Sequence, residues 1–290
     1  MPISTDFSFG TGGNTFRVFL MKKPHVLVVD TVTKLTATHT GAVLVGASHC
    51  GVYAVHLAAR ARVRALILTD AGIGLEGAGI GGLGWAEQFS LPVAAAGHMS
   101  CRIADGEDVM ANGIIQHVNK MAAGLNCHIG LSVADCAERM RQAEDVRDTP
   151  PDYGEARFLI DITAGQIDVV GCDSISLLLP EDAGRFAVTA SHGALLGGRV
   201  EDGLVDMALA GVTFNDAGIG KDDAGIARLS VLDDRGIPAA TVDTLTARIG
   251  DAQSNWQTGM LSRVNGMAEL LGVETGMTTQ AFAARVRATT

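Results

Sequence analysis

The sequence predicts an α/β fold: two tandem homologous βαβ-type repeats with mainly parallel sheets, related by a pseudo-two-fold axis. Three observations carry this prediction. First, the chain resembles itself. Gly46-Ala47-Ser48-His49 returns as Thr189-Ala190-Ser191-His192, an offset of 143 positions. Asp70-Ala71-Gly72-Ile73-Gly74 returns as Asp216-Ala217-Gly218-Ile219-Gly220, an offset of 146. The matches continue in order at 146, through Arg102-Ile103 with Arg248-Ile249, Val118-Asn119 with Val264-Asn265, and Arg139 with Arg285. Ordered self-similarity over such a length indicates duplication. Second, short apolar runs alternate with helical segments, the pattern of βαβ units and a parallel sheet. Third, a polar stretch containing Pro150-Pro151 separates the copies. It divides the chain into an N-terminal repeat (1–141), a linker (142–157) and a C-terminal repeat (158–290).

In chain order, residues 16–20 and 26–33 read as strands, as do 158–162 and 167–176 in the second copy. The apolar run 42–47 ends in Ser48-His49 and reads as a buried strand. Residues 52–61 are helical in composition. Residues 65–69 form a strand that runs into the glycine-rich loop. A helix over 78–89, a strand over 92–96 and a long helix over 108–123 follow, the last with Val109, Ile114, Ile115 and Val118 as its apolar positions. Right-handed crossovers place the strand ends on one edge of the sheet.

Composition narrows the function. The chain has 290 residues, 47% of them apolar and 19% charged, which is globular. Its net charge of −10 and its few aromatics (9 Phe, 2 Trp, 2 Tyr) argue against a nucleic-acid partner, which demands basic patches and stacking platforms. No run of about 18 apolar residues suggests a membrane span. The first residues lack a basic stretch followed by an apolar one, so a cytoplasmic location is expected. Five cysteines without a Cys-x-x-Cys pair argue against disulfides and structural zinc and read as small buried hydrophobes.

Ligands of open parallel sheets bind beyond the carboxyl ends of the strands. Ser48-His49 and Ser191-His192 fall at such ends, where serine can act as nucleophile or position water and histidine as base. Neighbouring side chains diverge, so His49 or His192 would serve the serine of the other copy. The alternative is that each serine caps the helix that follows. Asp70, Asn215 and Asp216 end the next strand, with Asp216 a further catalytic candidate. Gly72, Gly74, Gly218 and Gly220 lie in turns that could present amides to a small anion or an oxyanion. Gly72-Ile73-Gly74-Leu75-Glu76-Gly77 matches the dinucleotide fingerprint literally, but Asp222 and Asp223 occupy the equivalent loop and would repel a pyrophosphate. Lys221 replaces Leu75 at the repeat offset and is a candidate for holding a substrate oxygen. Arg102 and Arg248 could clamp a carboxylate or carbonyl, while Asp105 and Asp251 read as helix caps. Asn119 and Asn265 fall within predicted helices, where asparagine is unfavourable, and read as buried hydrogen-bonding groups joining the copies. His98 and His117 have no histidine at the repeat offset and read as ordinary residues.

The expected function is that of a small-molecule enzyme with its cleft between the two copies. The leading reading is hydrolysis of a C–N bond in an amide or cyclic amide, with Ser/His chemistry and a glycine-loop oxyanion site. The substrate is expected to be anionic or carbonyl-containing. No cofactor is expected. A divalent ion held by His49, His192, Asp70 and Asp216 is the one metal arrangement the residue types suggest. The alternatives are a lyase or isomerase with paired acid and base groups, and a small-molecule binding module without turnover. A homo-oligomer is compatible with either.

Overall fold

The computed structural model describes residues 24–145, 148–200 and 207–289. The chain forms two mixed, mostly parallel sheets with helices, an α/β fold. The first sheet is built from β1 (Val26–Val29), β2 (Val43–His49), β3 (Ala65–Thr69), β4 (Val93–Ala96) and β5 (Ile115–Val118), side by side in that order. Strands β1 to β4 are parallel, and β5 runs antiparallel to β4. The helices are α1 (Val52–Arg60), α2 (Gly82–Ala86), α3 (Gly106–Asn112), α4 (Lys120–Gly124) and α5 (Val133–Met140).

The second sheet contains β6 (Arg157–Asp161), β7 (Val169–Cys172), β8 (Phe186–His192), β9 (Gly211–Asn215), β10 (Ala239–Val242) and β11 (Leu261–Val264), in the order β11-β10-β9-β8-β7-β6. Strands β7 to β10 are parallel, with β6 and β11 antiparallel at the edges. Its helices are α6 (Arg228–Asp234), α7 (Ala252–Gln257), α8 (Gly266–Glu269) and α9 (Thr279–Arg287).

Each central strand is apolar on both faces because helices cover both. The two-residue period of β2 sends Val43, Val45 and Ala47 into one core and Leu44 into the other. Strand β8 divides Phe186 and Val188 from Ala187 in the same way. A small cluster of Ala71, Ile103 and Ala104 with Ala194, Ala217, Ala224 and Ile249 joins the two sheets' loops. All five cysteines are buried thiols. Among the described residues no helix is long and apolar enough to cross a membrane.

Several elements differ from expectation. The strand read over 16–20 lies outside the described residues. The strands read over 26–33 and 167–176 stop at Val29 and Cys172, and each is followed by a 3₁₀ turn, Val32–Lys34 and Ile175–Leu177. The helix over 78–89 is divided into a 3₁₀ segment, α2 and a second 3₁₀ turn, since four glycines between 79 and 84 weaken it. The long helix over 108–123 is α3, β5 and α4 instead. Gly113 ends α3 at a crowded exit, where a Cβ would meet the Val109 oxygen at 2.5 Å and Val133 Cγ2 at 2.6 Å.

Asn119 therefore sits at the N-cap of α4. Its Oδ1 accepts from Ala122 N at 3.0 Å and Val93 N at 3.1 Å, and its Nδ2 donates to the Leu91 oxygen at 2.8 Å. Asn265 does the same for α8, Ala239 N and the Ile237 oxygen. These bonds stay within one sheet and its helices and do not join the copies. Asp105 and Asp251 cap α3 and α7, accepting from Asp108 N and Ser254 N at 2.9 Å each.

Candidate functional site

Ser48-His49 and Ser191-His192 are the last residues of β2 and β8. Both strands shift register just before their ends, between Val45 and His49 and between Val188 and His192. Such irregularities re-aim side chains at a sheet edge. Ser48 Oγ accepts from Val32 N at 3.1 Å, and Ser191 Oγ from Ile175 N at 2.9 Å. Neither serine caps the following helix; Gly51 holds the N-cap of α1 without a side-chain bond. The serines instead fasten the two 3₁₀ turns, which Thr31 and Ser174 cap through Thr33 N and Ser176 N.

One cavity of about 280 Å³ is lined by Ser48, His49, Ser191 and His192 together. The two turns, Tyr53, Leu196, Arg228, Glu155 and Asp173 complete much of its wall. A second cavity of about 420 Å³ shares His49, Tyr53, Glu155 and Asp173 with the first and is also lined by Arg248.

Burial holds both imidazoles neutral at pH 7. His49 is brought down to about 4 by desolvation. His192 falls to about 3, through desolvation first and then the charges of Arg228 and His49. His49 Nδ1 accepts from Gly51 N at 3.2 Å, so the neutral ring carries its proton on Nε2 and is a donor there. His192 Nδ1 is buried and has no hydrogen-bond partner among the described residues. Arg228 is 2% exposed. Its Nη2 donates to the Ala194 oxygen at 2.7 Å, and its guanidinium lies 5.1 Å from the Phe214 ring centre. Burial lowers it to about 10, which leaves it charged.

Glu155 is raised to about 7 by burial and by neighbouring Asp173. Asp173 itself is fixed by two amides, Ala156 N at 2.7 Å and Ala252 N at 2.9 Å. The wall thus combines seven hydroxyls, those of Ser48 and Ser191 among them, with two neutral imidazoles, a buried cation and a carboxyl raised to about 7. Such a set can bind a polar small molecule and exchange protons with it.

The other sequence-predicted residues lie elsewhere. Asp70 Oδ1 accepts from His98 Nδ1 and His98 N at 2.9 Å each and from Gly72 N at 3.1 Å. Burial alone would raise this carboxyl, but the His98 and Gly72 bonds bring it below its ordinary value. Asp216 is raised, because burial outweighs its bonds from Gly218 N and Thr244 N. His98, Asp216, Gly72 and Gly218 line a separate cavity of about 550 Å³. His98 is held by Asp70, and that bond raises its pKa.

The glycine loops do not offer an oxyanion site. Amides 217 to 221 donate in turn to Asn215 Oδ1, Asp216 Oδ1, the Asp216 oxygen, the Gly218 oxygen and the His98 oxygen. Gly72, Ile73, Gly74 and Leu75 amides are engaged in the same manner. A Cβ on Gly72 would stand 2.8 Å from Gly218 Cα, so the loops pack against each other. Gly74 lies against Thr244 and Gly220 against His98.

Asn215 Nδ2 bonds the Ala247 oxygen at 3.3 Å and is fully buried. Lys221 Nζ is tied to Asp108 at 2.9 Å. Arg102 pairs with Asp105 and, across to the other loop, Asp222 at 3.0 Å; Arg248 pairs with Asp251 and Glu76, the latter at 2.9 Å. The four groups suggested for a metal do not share a cavity. Among the described residues no group of three or more His, Cys, Asp and Glu side chains could hold an ion.

Tyr53, Arg228 and Glu155 escaped the sequence reading. Arg228 alone left a trace there: it stands at offset 146 from Gly82, a charge replacing a glycine. No protein family, no curated protein and no solved structure matches the chain.

Proposed function

We propose that the chain is a small-molecule enzyme whose active site is the Ser–His cavity, and that it hydrolyses a C–N bond in a small amide or cyclic amide. The observation that carries this reading is the meeting of both Ser–His pairs, from strands 143 positions apart, on one small cavity. The reading treats the two sheets as products of a duplication about a pseudo-two-fold axis. Two reciprocal contacts support that: Leu75 N donates to the Thr244 oxygen and Lys221 N to the His98 oxygen.

In the proposed reaction Ser48 Oγ attacks the carbonyl carbon, and its proton passes to His192. The carbonyl oxygen is held by the Nε2–H of His49, in place of the glycine loops. His192 is a weak base at rest. Negative charge developing on the oxygen strengthens it during the step. The proton then goes to the departing nitrogen, and water releases the acyl group.

The test is Ser48→Ala and His192→Ala, assayed for hydrolysis of a panel of small amides and lactams. We expect kcat to fall by about 100-fold or more in each, measured well below Tm, because Ser48→Ala also leaves the buried Val32 amide without its partner and lowers Tm. Unaltered turnover in either variant overturns the mechanism. A lyase or isomerase is favoured by one observation, the presence of the Glu155 carboxyl, which burial raises to about 7, in the lining of the same cavity as His49. Deuterium from solvent appearing at a substrate carbon would establish that reaction in place of hydrolysis. Saturable binding without turnover would leave a binding module.

A further inference from the structure

We infer that the Ser–His cavity accepts a neutral molecule with two carbonyl oxygens, one for each of two opposed sets of hydroxyl donors. The inference rests on reading this cavity as the substrate site.

A hydroxyl has two acceptor positions and one hydrogen to donate. On the first wall Val32 N and Thr33 N take acceptor positions on Ser48 and Thr31. On the second, Ile175 N and Ser176 N take them on Ser191 and Ser174. Thr31 and Thr33 bond each other at 3.0 Å, and Ser174 and Ser176 at 2.9 Å. Each pair consumes one hydrogen internally and keeps one. The residues of each sheet therefore keep hydrogens to donate to a ligand, and His49 adds Nε2–H because Gly51 N holds its other nitrogen.

A cavity with spare donors from both sheets suits a ligand with two acceptors. At about 280 Å³ it lies just below the usual range for drug-sized ligands, which is room for one small molecule. The charges on the wall limit the ligand further. Arg228 and Lys34 are balanced by Asp173 and by Glu155 when ionised, which weighs against a dianion and for neutral carbonyls.

The matched probes are succinimide and 2-pyrrolidinone, the same ring with two carbonyls and with one. Binding to the full chain is measured by calorimetry. We expect 2-pyrrolidinone to bind at least tenfold more weakly. The paired changes Thr31→Ala/Thr33→Ala and Ser174→Ala/Ser176→Ala, each of which removes the hydrogen that its pair keeps, should each weaken succinimide by a similar factor of about tenfold. Neither should alter 2-pyrrolidinone by more than about twofold, since it can turn to the intact wall. Equal affinity for the two probes, no saturable binding of succinimide, or an effect of only one variant overturns the inference. Discriminating binding without hydrolysis sustains it and removes the hydrolase reading.

Discussion

A histidine that folding keeps neutral makes stability depend on pH. His192 titrates near 6.5 when unfolded and near 3 in the fold. Between those values the unfolded chain binds more protons, so stability is complete above about 6.5 and declines as pH falls toward 3. His49 behaves alike over a narrower window, down to about 4. Glu155 acts in the opposite sense: raised to about 7, it favours the fold at low pH and loses that contribution as pH rises through 7. We expect His192→Gln to show a shallower decline of Tm between pH 7 and pH 4 than the native chain, with Glu155→Gln steepening it. Parallel declines in all three proteins would contradict the burial of these groups. At this scale the sequence was partly legible. Ser48, His49, Ser191 and His192 announce themselves by repetition at strand ends. Tyr53, Glu155 and Arg228 carry no local pattern, and only the long-range fold brings them to the cavity.

Asn119 shows how one side chain can settle an element. Its amide satisfies the α4 terminus, the Val93 amide that opens β4, and the Leu91 carbonyl, while remaining 4% exposed. Removing it leaves buried backbone groups without partners, at about 1–3 kcal/mol each. Asn119→Ala should therefore destabilise the protein by about 2–4 kcal/mol in urea unfolding. Asp105→Ala, the loss of a half-exposed cap, should cost about 1 kcal/mol. Equal effects would mean that Asn119 is only a cap. The same residue explains a misread element. Ile114, Ile115 and Val118 have a spacing that a helix would also satisfy, and periodicity over so few residues does not separate the two. Pairing of β5 with β4 decided for a strand, and Gly113 and Asn119 were the punctuation that marked its ends. The strands β2, β3 and β4 were legible because each is an unbroken apolar run with loop signals on both sides.

The contact between the two sheets' loops is set by glycine. Gly72 and Gly218 approach so closely that a Cβ on Gly218 would lie 2.9 Å from Gly72 Cα, and both have left-handed backbones, φ +73° and +74°. Ile73 and Ile219 share that region, φ +65° and +62°, which is unfavourable for β-branched residues. Both loops therefore hold strain that the packing between them offsets. Gly218→Ala adds a clash and a left-handed alanine and should destabilise by about 2–4 kcal/mol. Gly84→Ala, in α2 with nothing within 4 Å, is the control and should be neutral or stabilising. Similar unfolding curves for the two variants would refute the close approach. The cross-loop pairs Arg102–Asp222 and Arg248–Glu76 are exposed and add at most about 1 kcal/mol each. The sequence motif of these loops was visible, but its meaning was not: amides 217 to 220 turn back on groups two or three residues away, and Lys221 N reaches His98, which no local pattern announces.

The cavity borrows one wall from each sheet. Either sheet produced by itself would carry a lone imidazole and a single row of hydroxyls on an open face. A guest that gripped both rows, as proposed, would tie one sheet to the other, so filling the cavity and prising the two sheets apart would oppose each other.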